Sequence, residues 1–146
     1  MRRGGAIANV LESEGYHVLG MDIVDRGWHS TIIQDFLKYN TFFDGDCISN
    51  PPYSIQTEFI LKCLKVCTGK IALLLKLNFL ETINRYENIF KYNPPNRVYV
   101  FVKRIKCLKN GFRDNKGSSV CYCWCVWDNS VNDDNTFLYW IPNHKY

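Results

Sequence analysis

Asn50-Pro51-Pro52-Tyr53 is the stretch of this chain whose residue types could do chemistry. It follows the short run Asp46-Cys47-Ile48-Ser49. An apolar run that stops in Asn-Pro-Pro-aromatic sets an amide, a rigid carbonyl and an aromatic ring at the end of a strand. The Asn50 side-chain oxygen and the Pro51 carbonyl can each accept one N–H of a flat amino group, as in adenine or a carboxamide. Two such bonds tilt the nitrogen toward sp³ character and free a lone pair that is otherwise delocalised. That nitrogen can then take a methyl group from a donor held beside it. Two prolines keep the loop stiff, which is orientation rather than acid–base catalysis. Tyr53 offers a face on which an extruded base can stack.

Such a turn works only on a scaffold that brings a donor to it. In open α/β sheets ligands sit outside the carboxyl ends of the strands, and two further strand ends carry useful groups. Residues 17–23 read as a buried strand reaching Asp22-Ile23, where a carboxylate can accept both hydroxyls of a ribose. Asp35-Phe36 follows a short strand at 31–33. Its acid could accept from an adenine amino group while the ring packs on the base.

The remaining pattern supplies the layers. Residues 6–14 read as a helix with Ile7, Val10 and Leu11 on one side, stopped by Gly15. Ser54 reads as the N-cap of a helix to Cys67, with Phe59, Ile60, Cys63 and Leu64 apolar. Residues 71–75 form a continuous apolar run, which predicts a strand covered on both faces. Residues 79–92 read as helical, ending before Pro94-Pro95. Residues 97–105 alternate with period two, and 120–127 and 137–141 read as the last strands. Asp128 to Thr136 reads as a polar hairpin loop. The expected fold is α/β, a mostly parallel sheet with an antiparallel C-terminal edge, in a single domain over 1–146.

Net charge is +4, which by itself does not argue for nucleic acid. The charge is concentrated, however. Arg97, Lys103, Arg104, Lys106, Lys109, Arg113 and Lys116 face only Asp114 within 97–116. With Tyr99, Phe101 and Phe112 interleaved, Lys103, Arg104, Lys106, Lys109, Arg113 and Lys116 are the nucleic-acid-binding candidates. No apolar run follows Met1-Arg2-Arg3, and no window of about 18 apolar residues exists, so neither a signal peptide nor a membrane span is expected. The seven cysteines, an odd count without secretory context, read as reduced thiols in a cytoplasm. Cys121, Cys123 and Cys125 alternate along one strand, about 7 Å between neighbours, too far apart to share a metal. They read as small buried hydrophobes, as do Cys63 and Cys67. His17, His29 and His144 have no partners at ligand spacing, so no metal is expected.

Taken in order, these motifs resemble the S-adenosylmethionine-dependent adenine-N6 DNA methyltransferases, in particular their small phage and prophage versions. The resemblance runs from about Gly4 to Trp127. Gly4-Gly5-Ala6-Ile7-Ala8 looks like the tail of the family's glycine-rich donor loop. Asp22-Ile23 looks like its ribose-binding acid, Asp35-Phe36-Leu37 like the pair that meets the donor's adenine, and Asp46 to Tyr53 like its catalytic motif. Residues 74–81, followed by Arg85-Tyr86, are similar to the stretch after the family's fifth strand. The resemblance implies a Rossmann-like fold, S-adenosylmethionine as donor, and double-stranded DNA with a flipped adenine as acceptor. Gly4, Gly5, Asp22, Ile23, Asp35 and Phe36 would bind the donor, and Asn50, Pro51, Pro52 and Tyr53 would serve catalysis.

The chain departs from that pattern at its start. The family begins with a central strand and Gly-x-Gly, and the strand lies between those ending at Asp22 and Asn50. Here that strand is missing and Arg3 stands where the first glycine is expected. The loss removes the backbone that approaches the donor's methionine moiety, where glycine is needed, and leaves the activity of this chain open. The same Asn-Pro-Pro-Tyr chemistry also serves methyltransferases acting on protein glutamine or RNA adenine. A remnant that binds DNA without donor is the non-enzymatic alternative.

Overall fold

The computed structural model describes residues 5–105 and 120–143. The chain groups into two compact units, Met1–Thr41 and Phe42–Tyr146.

In the first unit, helix α1 (Ala6–Ser13) leads to β1 (Gly20–Asp22), which pairs in parallel with β2 (Thr31–Ile33). The strand read over 17–23 thus shortens to three residues, and it is not a buried one. Leu19 and Ile23 are exposed. Apolar character alone does not bury a strand that has so little to pack against. The core of this unit is Trp28, whose indole lies between two glycines. A Cβ at Gly5 would sit 2.7 Å from its ring, and one at Gly20 2.8 Å. Gly5 also holds a left-handed backbone, φ 84°, at the start of α1.

In the second unit β3 (Cys47–Ser49), β4 (Lys70–Lys76), β5 (Arg97–Phe101), β6 (Tyr122–Asp128) and β7 (Phe137–Ile141) form one sheet in the order β3-β4-β6-β5-β7. β3 and β4 are parallel, β6 runs antiparallel to both β4 and β5, and β7 is parallel to β5. The sheet is therefore mixed. The antiparallel strand lies inside it and not at the C-terminal edge, as the sequence reading had placed it. Residues 129–136 are likewise no hairpin loop, because β5 separates β6 from β7. The strands ending at Asp22 and beginning at Cys47 belong to separate sheets and do not pair with each other.

Burial explains this order. Ile71, Leu73, Leu74 and Leu75 of β4 are all buried, as the continuous apolar run requires. Helix α2 (Gln56–Val66) turns Gln56, Ile60, Cys63 and Val66 inward, at spacings of one helical face. Phe79, Ile89 and Val98 complete the core. Each such side chain contributes roughly 1.5–3 kcal/mol on burial. Ser54 does not cap α2. It lies in a 3₁₀ turn, Tyr53–Ile55, and the cap position is Ile55, without a side-chain bond. The helix read over 79–92 is broken into a 3₁₀ turn (Leu77–Leu80), a short α3 (Ile83–Arg85) capped by Thr82, and a π turn (Tyr86–Phe90).

Candidate functional site

β3, β4, β5 and β7 point the same way, so their carboxyl ends gather at one end of the sheet. Asn50 to Tyr53 occupy that end after β3. Pro51 is buried and anchors the turn, Pro52 holds an extended backbone (φ −57°, ψ 137°), and its carbonyl accepts from Ile55 N–H at 3.1 Å. Asn50 is exposed and its amide makes no hydrogen bond among the described residues. A stiff loop thus presents a free amide, which is the condition for holding an amino group.

Tyr53 is 50% exposed, but it is not loose. Its hydroxyl shares a 2.5 Å hydrogen bond with that of buried Tyr122, and Lys76 Nζ lies 3.8 Å from its ring centroid. Lys76 and Tyr122 sit directly opposite each other on β4 and β6. The cross-strand pair therefore positions the aromatic, and one face of the ring already carries a cation. Neither Lys76 nor Tyr122 was singled out in the sequence. The contacts join residues 69 positions apart, and only the apolar run before Lys76 hinted that it ends a strand at the same end of the sheet as the Asn50 turn.

A third residue, Gln56, escaped the sequence reading. The Cys47 and Cys63 sulfurs lie 3.7 Å apart, which fixes the height of α2 on β3. Seven residues back along the helix is about 10.5 Å. Three residues forward along the strand, from Cys47 to Asn50, is about 10 Å. Gln56 is thereby brought level with Asn50. It is only 4% exposed, and its Nε2 has no partner among the described residues.

In the first unit Asp22 ends β1 as expected. Its Oδ1 accepts from Val24 N–H at 3.0 Å and its Oδ2 from Arg26 Nε at 2.7 Å. Asp35 caps the 3₁₀ turn Phe36–Lys38, its Oδ1 accepting from Leu37 N–H at 3.0 Å. Beside Asp22 is a cavity of about 120 Å³, lined by Gly5, Ala8, Gly20, Met21, Asp22, Arg26, Trp28 and Thr31. The Trp28 Nε1–H, buried there, has no acceptor among the described residues. Asp22 keeps free lone pairs and so fits one contact of a nucleoside donor, the ribose diol. The cavity is well below the ~300 Å³ at which small-molecule pockets begin. This cavity, among the described residues, is too small for a whole nucleoside donor.

Lys103 and Arg104, exposed after β5, share the sheet end with the Asn50 turn. Gly4, Lys106, Lys109, Arg113 and Lys116 lie outside the described residues. At the opposite end, buried Asp128 accepts from Ser130 Oγ at 2.6 Å and Ser130 N–H at 3.2 Å, with Arg97 Nη2 at 3.4 Å. The Ser130 bonds, aided by the charges of Lys70 and Arg97, hold its carboxyl below the usual range against the effect of burial.

Of the cysteines read as buried, Cys63, Cys67, Cys123 and Cys125 are core residues, whereas Cys121, just before β6, is only half-buried. One distance differs. The Cys123 and Cys125 sulfurs approach to 3.8 Å, because both side chains lean along the strand toward each other. Hydrogen bonding to its partner and burial push up the thiols of Cys63 and Cys125. Neither is a ready nucleophile. Among the described residues no group of three or more His, Cys, Asp or Glu side chains could hold a metal ion, and no helix is long and apolar enough to cross a membrane.

Comparison of the chain with protein-family models and with curated proteins finds no match.

Proposed function

We propose that this chain carries the acceptor side of an amino-methyltransferase. Its reaction is transfer of a methyl group from S-adenosylmethionine to the exocyclic amino group of adenine in DNA. The observation that carries this reading is the unbonded Asn50 amide on a buried proline turn, beside a tyrosine locked by Tyr122. Asn50 Oδ1 and the Pro51 carbonyl accept the two amino N–H bonds, and Tyr53 stacks on the base. Lys103 and Arg104 at the same sheet end favour a polyanionic acceptor over a protein glutamine.

S-adenosylmethionine supplies an electrophilic methyl group when bound. Asp22 and Gly5 would meet its ribose end, and Asp35 with Phe36 its adenine. The small cavity and the Arg26 ion pair on Asp22 favour a second reading, a DNA-binding domain without donor.

Calorimetric titration with S-adenosylmethionine separates the two. Binding that survives Asn50→Ala, with adenine methylation lost in that variant, supports the enzyme. A folded protein that takes up no donor while still binding DNA overturns it in favour of the second reading.

A further inference from the structure

A continuous run of exposed apolar side chains lies along β7, at the sheet edge opposite β3. Phe137 is 54% exposed, Leu138 50%, Tyr139 43% and Trp140 65%. The strand is the edge of the sheet, and no described strand covers its outer side. A flat apolar edge of this kind is a template for another strand.

The backbone says which strand fits. Phe137 N–H donates to the Asn96 carbonyl at 2.9 Å, and Val102 N–H donates to the Ile141 carbonyl at 3.1 Å. Residues 137, 139 and 141 therefore spend their backbone groups on β5. By the period-two alternation, Leu138 and Trp140 aim N–H and C=O outward. These positions are symmetric about Tyr139. An identical strand laid antiparallel with Tyr139 at the two-fold axis puts Leu138 opposite Trp140 of the second copy, and Trp140 opposite its Leu138. Both are then hydrogen-bonded pairs, four bonds in all. Pro142 has no N–H to extend the ladder, so the register has a fixed end.

Charge selects the same arrangement. The acidic pair Asp133-Asp134 precedes β7. At its other end Asn143 is bonded to the Lys103 backbone, Oδ1 accepting from N–H at 2.7 Å and Nδ2 donating to C=O at 2.6 Å. That bond brings Lys103-Arg104 alongside. Antiparallel copies bring the acidic end of each β7 to the basic end of the other. Parallel copies set like against like.

We infer that β7 is a homodimer interface, joining two five-stranded sheets edge to edge through Leu138, Tyr139 and Trp140. Half the surface of four large side chains is roughly 400 Å² per chain, so about 800 Å² for the pair, the size of a reversible contact and not an obligate one. The strand pairing uses none of the residues of the Asn50 turn, although Lys103 and Arg104, assigned above to the acceptor's charge, stand beside its ends.

Sedimentation of the full chain from low to high micromolar concentration tests this. The weight-average mass should rise toward twice the monomer. Leu138→Pro removes one outward N–H without touching the β5 ladder, and Trp140→Lys sets charge on the edge. Both should stay monomeric with an unchanged circular dichroism spectrum. Amide exchange at Leu138 and Trp140 should slow as wild-type concentration rises. A wild-type monomer throughout, a dimer that persists in both variants, or open-ended polymers would each overturn the assignment.

Discussion

The hydroxyls of Tyr53 and Tyr122 share a 2.5 Å hydrogen bond, so the aromatic after the proline turn is fixed by a strand 69 residues later in the chain. If that bond positions the ring, the residues should behave as a unit. Tyr53→Phe and Tyr122→Phe should each cost about 1 kcal/mol. The double variant should cost less than the sum. Urea denaturation of the four proteins reads the coupling, and simple additivity would show that the hydroxyls act independently.

Asn50 is exposed and unbonded, so Asn50→Ala should leave the denaturation midpoint within about 0.5 kcal/mol of wild type. On the proposed function, methylation of adenine-containing DNA should fall by about 100-fold or more, the scale of losing one oriented polar contact. A large loss of stability would instead give the amide a structural role.

Gln56 presents the opposite case. Its buried Nε2 has no partner among the described residues, and an unsatisfied donor is worth about 1–3 kcal/mol of destabilisation. Gln56→Met keeps the volume and removes the polar group. Thermal melting should rise or hold, while acceptor binding at the neighbouring turn should weaken. Unchanged acceptor binding would leave Gln56 outside the site.

Gly20 lies 2.8 Å from the Trp28 ring by its hypothetical Cβ and has ordinary backbone angles, so Gly20→Ala tests contact alone. Overpacking of this kind costs about 1–3 kcal/mol. Hydrogen exchange should quicken in β1 and β2 and remain unchanged in β4, because the two strand pairs belong to separate compact units.

Asp128 has its pKa depressed in the fold by Ser130 above all, then by Lys70 and Arg97. A depressed carboxylate stabilises the fold above its unfolded pKa of about 3.9, and that contribution is lost as pH falls through the lower folded value. Wild-type stability should therefore drop on acidification below about pH 4. Asp128→Asn should be less stable at neutral pH and flatter over the acid limb. Denaturation at a series of pH values distinguishes the two slopes.

The sequence by itself determined the turn and the strands whose patterns are local. Pro51 and Pro52 stop β3 whatever surrounds them, because proline fixes its own backbone angle and donates no hydrogen bond. The run of Ile71 to Leu75 read as a strand covered on both faces, and Asn50 fell at a strand end because Pro51 and Pro52 follow it, whereas the apolar Ile23-Val24 after Asp22 gave no local sign that β1 stops there. Tertiary structure decided the rest. Strand order depends on pairings between residues far apart, and no local signal says that β6 enters between β4 and β5 or that β7 returns beside β5. The same holds for the site. Lys76 and Tyr122 come to Tyr53 only through the β4–β6 register, and Gln56 reaches the level of Asn50 only because Cys63 rests on Cys47. Types and spacing name the residues that could react; packing chooses which others stand beside them.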